Sequence, residues 1–116
     1  MLIENHPGTQ VVAMASTRSE ALEIIARKSL DVIVLDLELE GHSALSFIPQ
    51  LRESAKNARV LVLTGLRESE THQKAAQLGA MGVVLKDDAA DLLLKAIEKV
   101  YQGEAWLDRL TVGNLL

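Results

Sequence analysis

Short aliphatic runs alternate along the chain with segments whose apolar residues recur at helical spacing. The runs fall at residues 1–4, 10–14, 32–36, 59–64 and 82–85. They are brief and mostly rich in β-branched residues, and turn or polar residues flank them, which predicts strands. Several, such as Val32-Ile33-Val34-Leu35, are apolar at every position. A strand of that kind belongs in a sheet covered by helices on both faces. Strands alternating with helices in this way predict an α/β fold with a parallel sheet.

The intervening segments carry helix signals. Thr17 opens a capping box with Glu20, and Ala21, Leu22, Ile24, Ile25 and Ala26 continue a helix to about Ser29. Ser43 is the expected cap of the next helix, which buries Leu45, Phe47, Ile48 and Leu51. Pro49 removes a helix donor, so a late start near Ser46 would place it in the first turn. A third helix runs from about Glu68 to Leu78, with Gly79 at its C-cap. Its apolar face is thin, with only Ala75, Ala76 and Leu78 among Glu68, Glu70, His72, Gln73 and Lys74, which predicts a loosely held element. The last helix starts at Asp87 or Asp88, presents Leu92, Leu93, Ala96, Ile97 and Val100, and ends at Gly103.

One junction conflicts with this plan. The first run ends near Asn5 and the second begins near Gln10. A parallel pair needs a crossover of roughly a dozen or more residues, and His6-Pro7-Gly8-Thr9 cannot supply one. Either a first helix is missing between Pro7 and Gly8, or the first strand is placed abnormally.

The strand ends carry the chemistry. Residues 32–36 close on Asp36, residues 59–64 on Thr64, and Val83-Val84-Leu85 deliver Lys86. The first run ends in Glu4-Asn5. In a parallel sheet these groups share one rim, where open α/β folds bind ligands. Two acidic or amide side chains, an aspartate, a hydroxyl and an ammonium suit a phosphorylated aspartate held with a divalent metal. The plainer alternatives are a capping aspartate, a snorkelling lysine and an ordinary β-branched strand end. His6, His42 and His72 have no metal-ligand spacing and read as surface residues.

Composition narrows the class. A chain of 116 residues with 48% hydrophobic content is one domain with a sufficient core. Aromatic content of 3% makes that core aliphatic. The absence of cysteine excludes a disulfide scaffold and fits a reducing compartment. No apolar run approaches a membrane span, and no signal-peptide pattern follows Met1, so a cytoplasmic protein with no membrane contact is expected. A net charge of −4 without a basic cluster argues against direct nucleic-acid binding.

The motifs together resemble a response-regulator receiver domain of the NarL/FixJ type, from two-component signalling. Leu2-Ile3-Glu4-Asn5-His6-Pro7 is similar to that family's opening, and Asp36-Leu37-Glu38-Leu39-Glu40-Gly41 to its phosphoacceptor loop. Thr64-Gly65 matches the switch hydroxyl and the small residue after it. Gly79-Ala80-Met81-Gly82-Val83-Val84-Leu85-Lys86-Asp87 resembles the last strand with its lysine. Asp91 to Ile97 with Gly103-Glu104-Ala105-Trp106-Leu107-Asp108 resembles the final helix and its exit. The chain departs from the pattern at Asn5 for a second acid, Glu40 for proline, Ala44 for glycine and Val83 for an aromatic. It also lacks the family's first helix.

The resemblance implies a doubly wound five-stranded parallel sheet of flavodoxin-like order 2-1-3-4-5, with the first helix apparently missing. Residues 1–108 would form the receiver, and 109–116 would begin a linker to a helix-turn-helix domain not contained in the chain. Asp36 would accept a phosphoryl group from a partner histidine kinase, with Thr64 and Lys86 binding its oxygens. Glu4, Asn5, Asp36 and the backbone carbonyl of Glu38 would hold Mg2+, weakly because Asn5 is neutral. The Glu38 carboxylate would orient or repel hydrolytic water, or simply be solvated. The expected output is homodimerisation or control of DNA binding through an attached domain, with autodephosphorylation but no turnover chemistry. The alternative is a pseudo-receiver that serves as an interaction or dimerisation module without phosphate, which Asn5, Glu40 and Val83 favour. Asp36-Leu37-Glu38 also resembles the acidic motif of haloacid-dehalogenase-type phosphatases, but the second aspartate and the cap domain are missing.

Overall fold

A computed structural model describes residues 13–38, 44–88 and 90–107. Among these, the elements run α1 (Arg18–Arg27), β1 (Val32–Asp36), α2 (Phe47–Ser54), β2 (Arg59–Thr64), α3 (Ser69–Leu78), β3 (Gly82–Leu85) and α4 (Ala90–Tyr101). The described strands form one parallel sheet in the order β1-β2-β3, with Asp36 beside Leu63 and Thr64 beside Leu85. These three strands match the runs expected at 32–36, 59–64 and 82–85. The runs at 1–4 and most of 10–14 lie outside the described residues, as does the Pro7-Gly8 junction, so the five-strand order rests on the sequence pattern. Residues 13 and 14 are described and are not in a strand.

Alternation along β2 divides the core. Val60 and Val62 face one side, packing with Leu35, Leu37, Phe47, Ile48, Leu51 and Ala75. Leu61 and Leu63 face the other, packing with Val84, Leu93, Ala96, Ile97 and Val100. Residues of β2 from Val60 to Thr64 are all buried, so helices cover the sheet on both faces, as a central parallel strand requires. The core is aliphatic apart from Phe47, with Trp106 packed at its margin.

Helix boundaries follow from local chemistry. The Thr17 hydroxyl accepts the Glu20 N–H at 3.1 Å, which satisfies one of the free donors of the first turn. The Glu20 carboxylate reaches the N–H of Ser16 at 3.5 Å. α2 begins after Ser46, not after Ser43, and Pro49 thereby sits at its third position, where no intrahelical N–H is needed. Gly79 and Gly103 end α3 and α4 at φ 115° and 91°. The paired bonds Ala80 N–H to Ala75 O and Gly79 N–H to Ala76 O make the α3 end a Schellman motif. α4 starts at Ala90, later than Asp87 or Asp88. Asp88 instead folds back on the strand end, its Oδ2 accepting the Leu85 N–H at 3.0 Å. That bond competes with helix initiation, as aspartate side chains do at turns.

Candidate functional site

β1, β2 and β3 are parallel and in register, so their carboxyl ends share one rim. The structure brings Asp36, Thr64 and Lys86 together there. Lys86 Nζ lies 2.9 Å from Asp36 Oδ1 and 3.4 Å from Glu38 Oε1. The Asp36 side chain is 42% exposed, so its carboxylate is reachable from solvent. The same Oδ1 accepts the Glu38 N–H at 2.8 Å, which fixes the carboxylate against the loop that follows it. The hydrogen bond to Asp36 holds the Lys86 ammonium above its ordinary pKa of 10.5, and the Asp36 and Glu38 charges add to this against partial desolvation. Lys86 is thus a fixed cation at neutral pH.

Thr64 is fully buried. Its hydroxyl donates to Glu38 Oε2 at 3.0 Å and accepts the Leu66 N–H at 3.1 Å. Neither bond can be made by an apolar side chain, so Thr64 is more than a β-branched strand end. The Gly65 N–H donates to Glu38 Oε1 at 2.7 Å. The Glu38 side chain, 36% exposed, therefore spans the rim from β1 to β2 and β3. The sequence placed this carboxylate beside the site, two residues past Asp36, with a role toward water or none; its bonds to Thr64 and Gly65 were not foreseen.

His72 is a residue the sequence did not reveal. It is buried at 6% exposure, where the sequence reading left it on the surface. Its Nε2 lies 2.8 Å from the Leu66 carbonyl, and because a carbonyl only accepts, Nε2 carries the hydrogen there. His72 shares the inner face of α3 with Ala75, three residues on, and that spacing was the signal. Leu66 is consequently held at both its amide and its carbonyl, by Thr64 and His72. Val83, at the position where the resemblance implies an aromatic, lines a groove of about 410 Å³ with His72, Leu85, Asp88 and Trp106.

A hard divalent cation wants oxygen donors. Asp36 supplies a carboxylate whose two contacts are both on Oδ1, leaving Oδ2 without a bond to any described residue. Its chemistry fits such an ion. Among the described residues no cluster of three or more His, Cys, Asp or Glu stands ready to hold a metal; Glu4 and Asn5 lie outside them. No helix among the described residues is long and apolar enough to cross a membrane.

The chain is also similar to proteins of known family and structure. The family profile of the response regulator receiver domain matches residues 1–98. The nitrate/nitrite response regulator protein homolog of Haemophilus influenzae is 36% identical over 99% of the chain and 55% of its own length. The chain spans about half the length of the curated relatives it matches first. Among solved structures, a LuxR-family two-component response regulator from Aurantimonas sp. SI85-9A1 superposes with a TM-score of 0.83 at 30% identity, covering 95% of this chain and 79% of that one. A response regulator from Burkholderia pseudomallei, solved with a phosphorylated aspartic acid, calcium ion and citrate, has a TM-score of 0.66 at 30% identity, covering 77% of this chain and 52% of that one.

Proposed function

Because the chain belongs to the response regulator receiver domain family, in its NarL/FixJ branch, we propose that it is a phospho-accepting switch whose acceptor is Asp36. The observation that carries this is the convergence of a solvent-reachable aspartate, a fixed ammonium and a buried hydroxyl on one rim. In the reaction, an Asp36 carboxylate oxygen attacks the phosphorus of a phosphohistidine or a small acyl phosphate. The bond from phosphorus to the donor breaks, and its electron pair leaves with the donor. Lys86 stabilises the equatorial oxygens as a point charge, and the Thr64 hydroxyl and Gly65 N–H are donors for them. Positioning and charge do most of the work in such a transfer.

Glu4, Asn5, Asp36 and the Glu38 backbone carbonyl would hold Mg2+, which when bound would offset charge on the transferring phosphoryl group. The Burkholderia pseudomallei response regulator, which carries a phosphorylated aspartic acid and a calcium ion, supports this class of site. Asn5 lacks the charge of a carboxylate, so the affinity should be low.

The readout runs through Leu66. When the Thr64 hydroxyl turns to a phosphoryl oxygen, the Leu66 N–H loses its acceptor, and the Leu66 carbonyl is tied to His72 on α3. Phosphorylation therefore biases the loop after Thr64 and the thinly packed α3, without the aromatic that Val83 replaces. The output is homodimerisation, or control of a DNA-binding domain carried by the whole protein. A partner histidine kinase in the cytoplasm is the donor implied by the family.

The rival is a phosphate-independent interaction module. Acetyl phosphate with magnesium separates the two: the protein should gain one phosphoryl group and Asp36→Asn none. Labelling that persists in Asp36→Asn, or never appears in the parent, would reject Asp36 as acceptor.

A further inference from the structure

We propose that the Glu38 carboxylate is a tethered occupant of the phosphoryl site, which must be displaced before Asp36 can be phosphorylated. The proposal rests on the assignment of Asp36 as acceptor. Glu38 takes the three donors that surround Asp36 from β2 and β3: the Thr64 hydroxyl at 3.0 Å, the Gly65 N–H at 2.7 Å and the Lys86 ammonium at 3.4 Å. A hydroxyl and a backbone amide each have one hydrogen to give. Neither can serve Glu38 and a phosphoryl oxygen at full strength together. The site is also narrow: a Cβ placed on Gly65 would stand 3.3 Å from Glu38 Oε1.

The carboxylate is anionic and planar, with its two oxygens engaging donors on three residues, so it imitates part of a phosphoryl group. Its tether is short, because the Glu38 N–H is bound to Asp36 Oδ1 at 2.8 Å. It also has an exit, since the side chain is 36% exposed. A phosphoryl group on Asp36 would add close to two negative charges beside it, with Lys86 the one cation shown to contact both acids. Like charges then drive Glu38 toward water. The protein thus exists in a closed state with Glu38 bound and an open state ready for phosphorylation. Ligand affinity and rate fall by the fraction that is open. If Glu38 occupies the site in about nine molecules of ten, its removal should speed phosphorylation about tenfold.

Charge alone could mimic this effect, so the test separates reach from charge. Glu38→Ala removes both; Glu38→Asp keeps the charge and shortens the arm by one methylene, too short to grip Thr64 and Gly65 from the same backbone position. Initial rates of labelling by acetyl phosphate and magnesium are measured for the parent and both variants. In parallel, the Gly65 amide resonance is recorded without magnesium or phosphodonor. The proposal expects both variants to label about tenfold faster and the Gly65 amide to shift in both. Equal rates in all three proteins, or an unmoved Gly65 amide, would overturn the occupancy while leaving Asp36 as acceptor. A fast Glu38→Ala beside a parent-like Glu38→Asp would assign the effect to charge and also overturn it. Absence of labelling in every protein would reject the acceptor assignment, and the proposal with it.

Discussion

Replacing Thr64 with valine tests the hydrogen bonds that tie the rim together. Valine matches threonine in shape, so the fully buried position stays filled. Two bonds disappear: the one donated to Glu38 at 3.0 Å and the one accepted from Leu66 at 3.1 Å. The half-buried Leu66 N–H loses its acceptor, which costs about 1–3 kcal/mol when water cannot replace it. Glu38 is more than a third exposed, so water screens its loss to roughly 0.5–1 kcal/mol. The added buried methyl returns about 0.8 kcal/mol. The net expectation is a loss of about 0.7–3.2 kcal/mol, or a fall in Tm of roughly 2–20 °C for a domain of this size. Urea unfolding of the parent, Thr64→Val, Glu38→Ala and the double variant forms a double-mutant cycle. The Thr64–Glu38 coupling should be about 0.5–1 kcal/mol. A single-variant loss under about 0.5 kcal/mol, or additivity within about 0.3 kcal/mol, would refute the bonding described here.

Lys86→Met should lose stability in a pH-dependent way. The folded pKa of Lys86 lies above its ordinary 10.5, so its contribution, about 0.2–1 kcal/mol for so exposed a pair, is complete below 10.5 and fades as pH rises through the folded value. Urea midpoints of parent and variant should converge at high pH, and divergence there would contradict the Lys86–Asp36 pairing. Gly82→Ala should destabilise by about 1–3 kcal/mol through overpacking, since Gly82 forms a parallel bridge with Trp106 and a Cβ would meet Leu61 at 2.7 Å and Trp106 at 2.8 Å; a urea midpoint equal to the parent's would show that this approach is not so close.

The strands around the site were legible because their runs are short, rich in β-branched residues and flanked by turn residues, which marks a strand where an unbroken apolar run shows no period. Asp36, Thr64 and Lys86 followed once those runs were parallel, since the rim is defined by strand ends. Glu38 was expected beside the site, but the grip of its carboxylate was not legible, because it depends on Thr64, 26 residues away, and on a side-chain conformation that no local pattern encodes. His72 was misplaced because a helix with few apolar residues does not show which polar one turns inward. The start of α4 was misread because Asp88 can cap a helix or bind the preceding strand, and the Leu85 N–H wins it. The first two runs and the Pro7-Gly8 junction remain expectations from pattern, with Glu4 and Asn5 among them.

Localising the phosphoryl group tests the central claim most directly. The protein is treated with acetyl phosphate and magnesium, and the acyl phosphate is reduced with borohydride. Hydride converts a phosphorylated aspartate to homoserine as phosphate leaves, and peptide sequencing by mass spectrometry finds the altered residue. The account predicts homoserine at position 36 and at no other aspartate, with none formed when the phosphodonor is omitted. Homoserine at another aspartate, or an intact Asp36 in protein that carries the label, would contradict it.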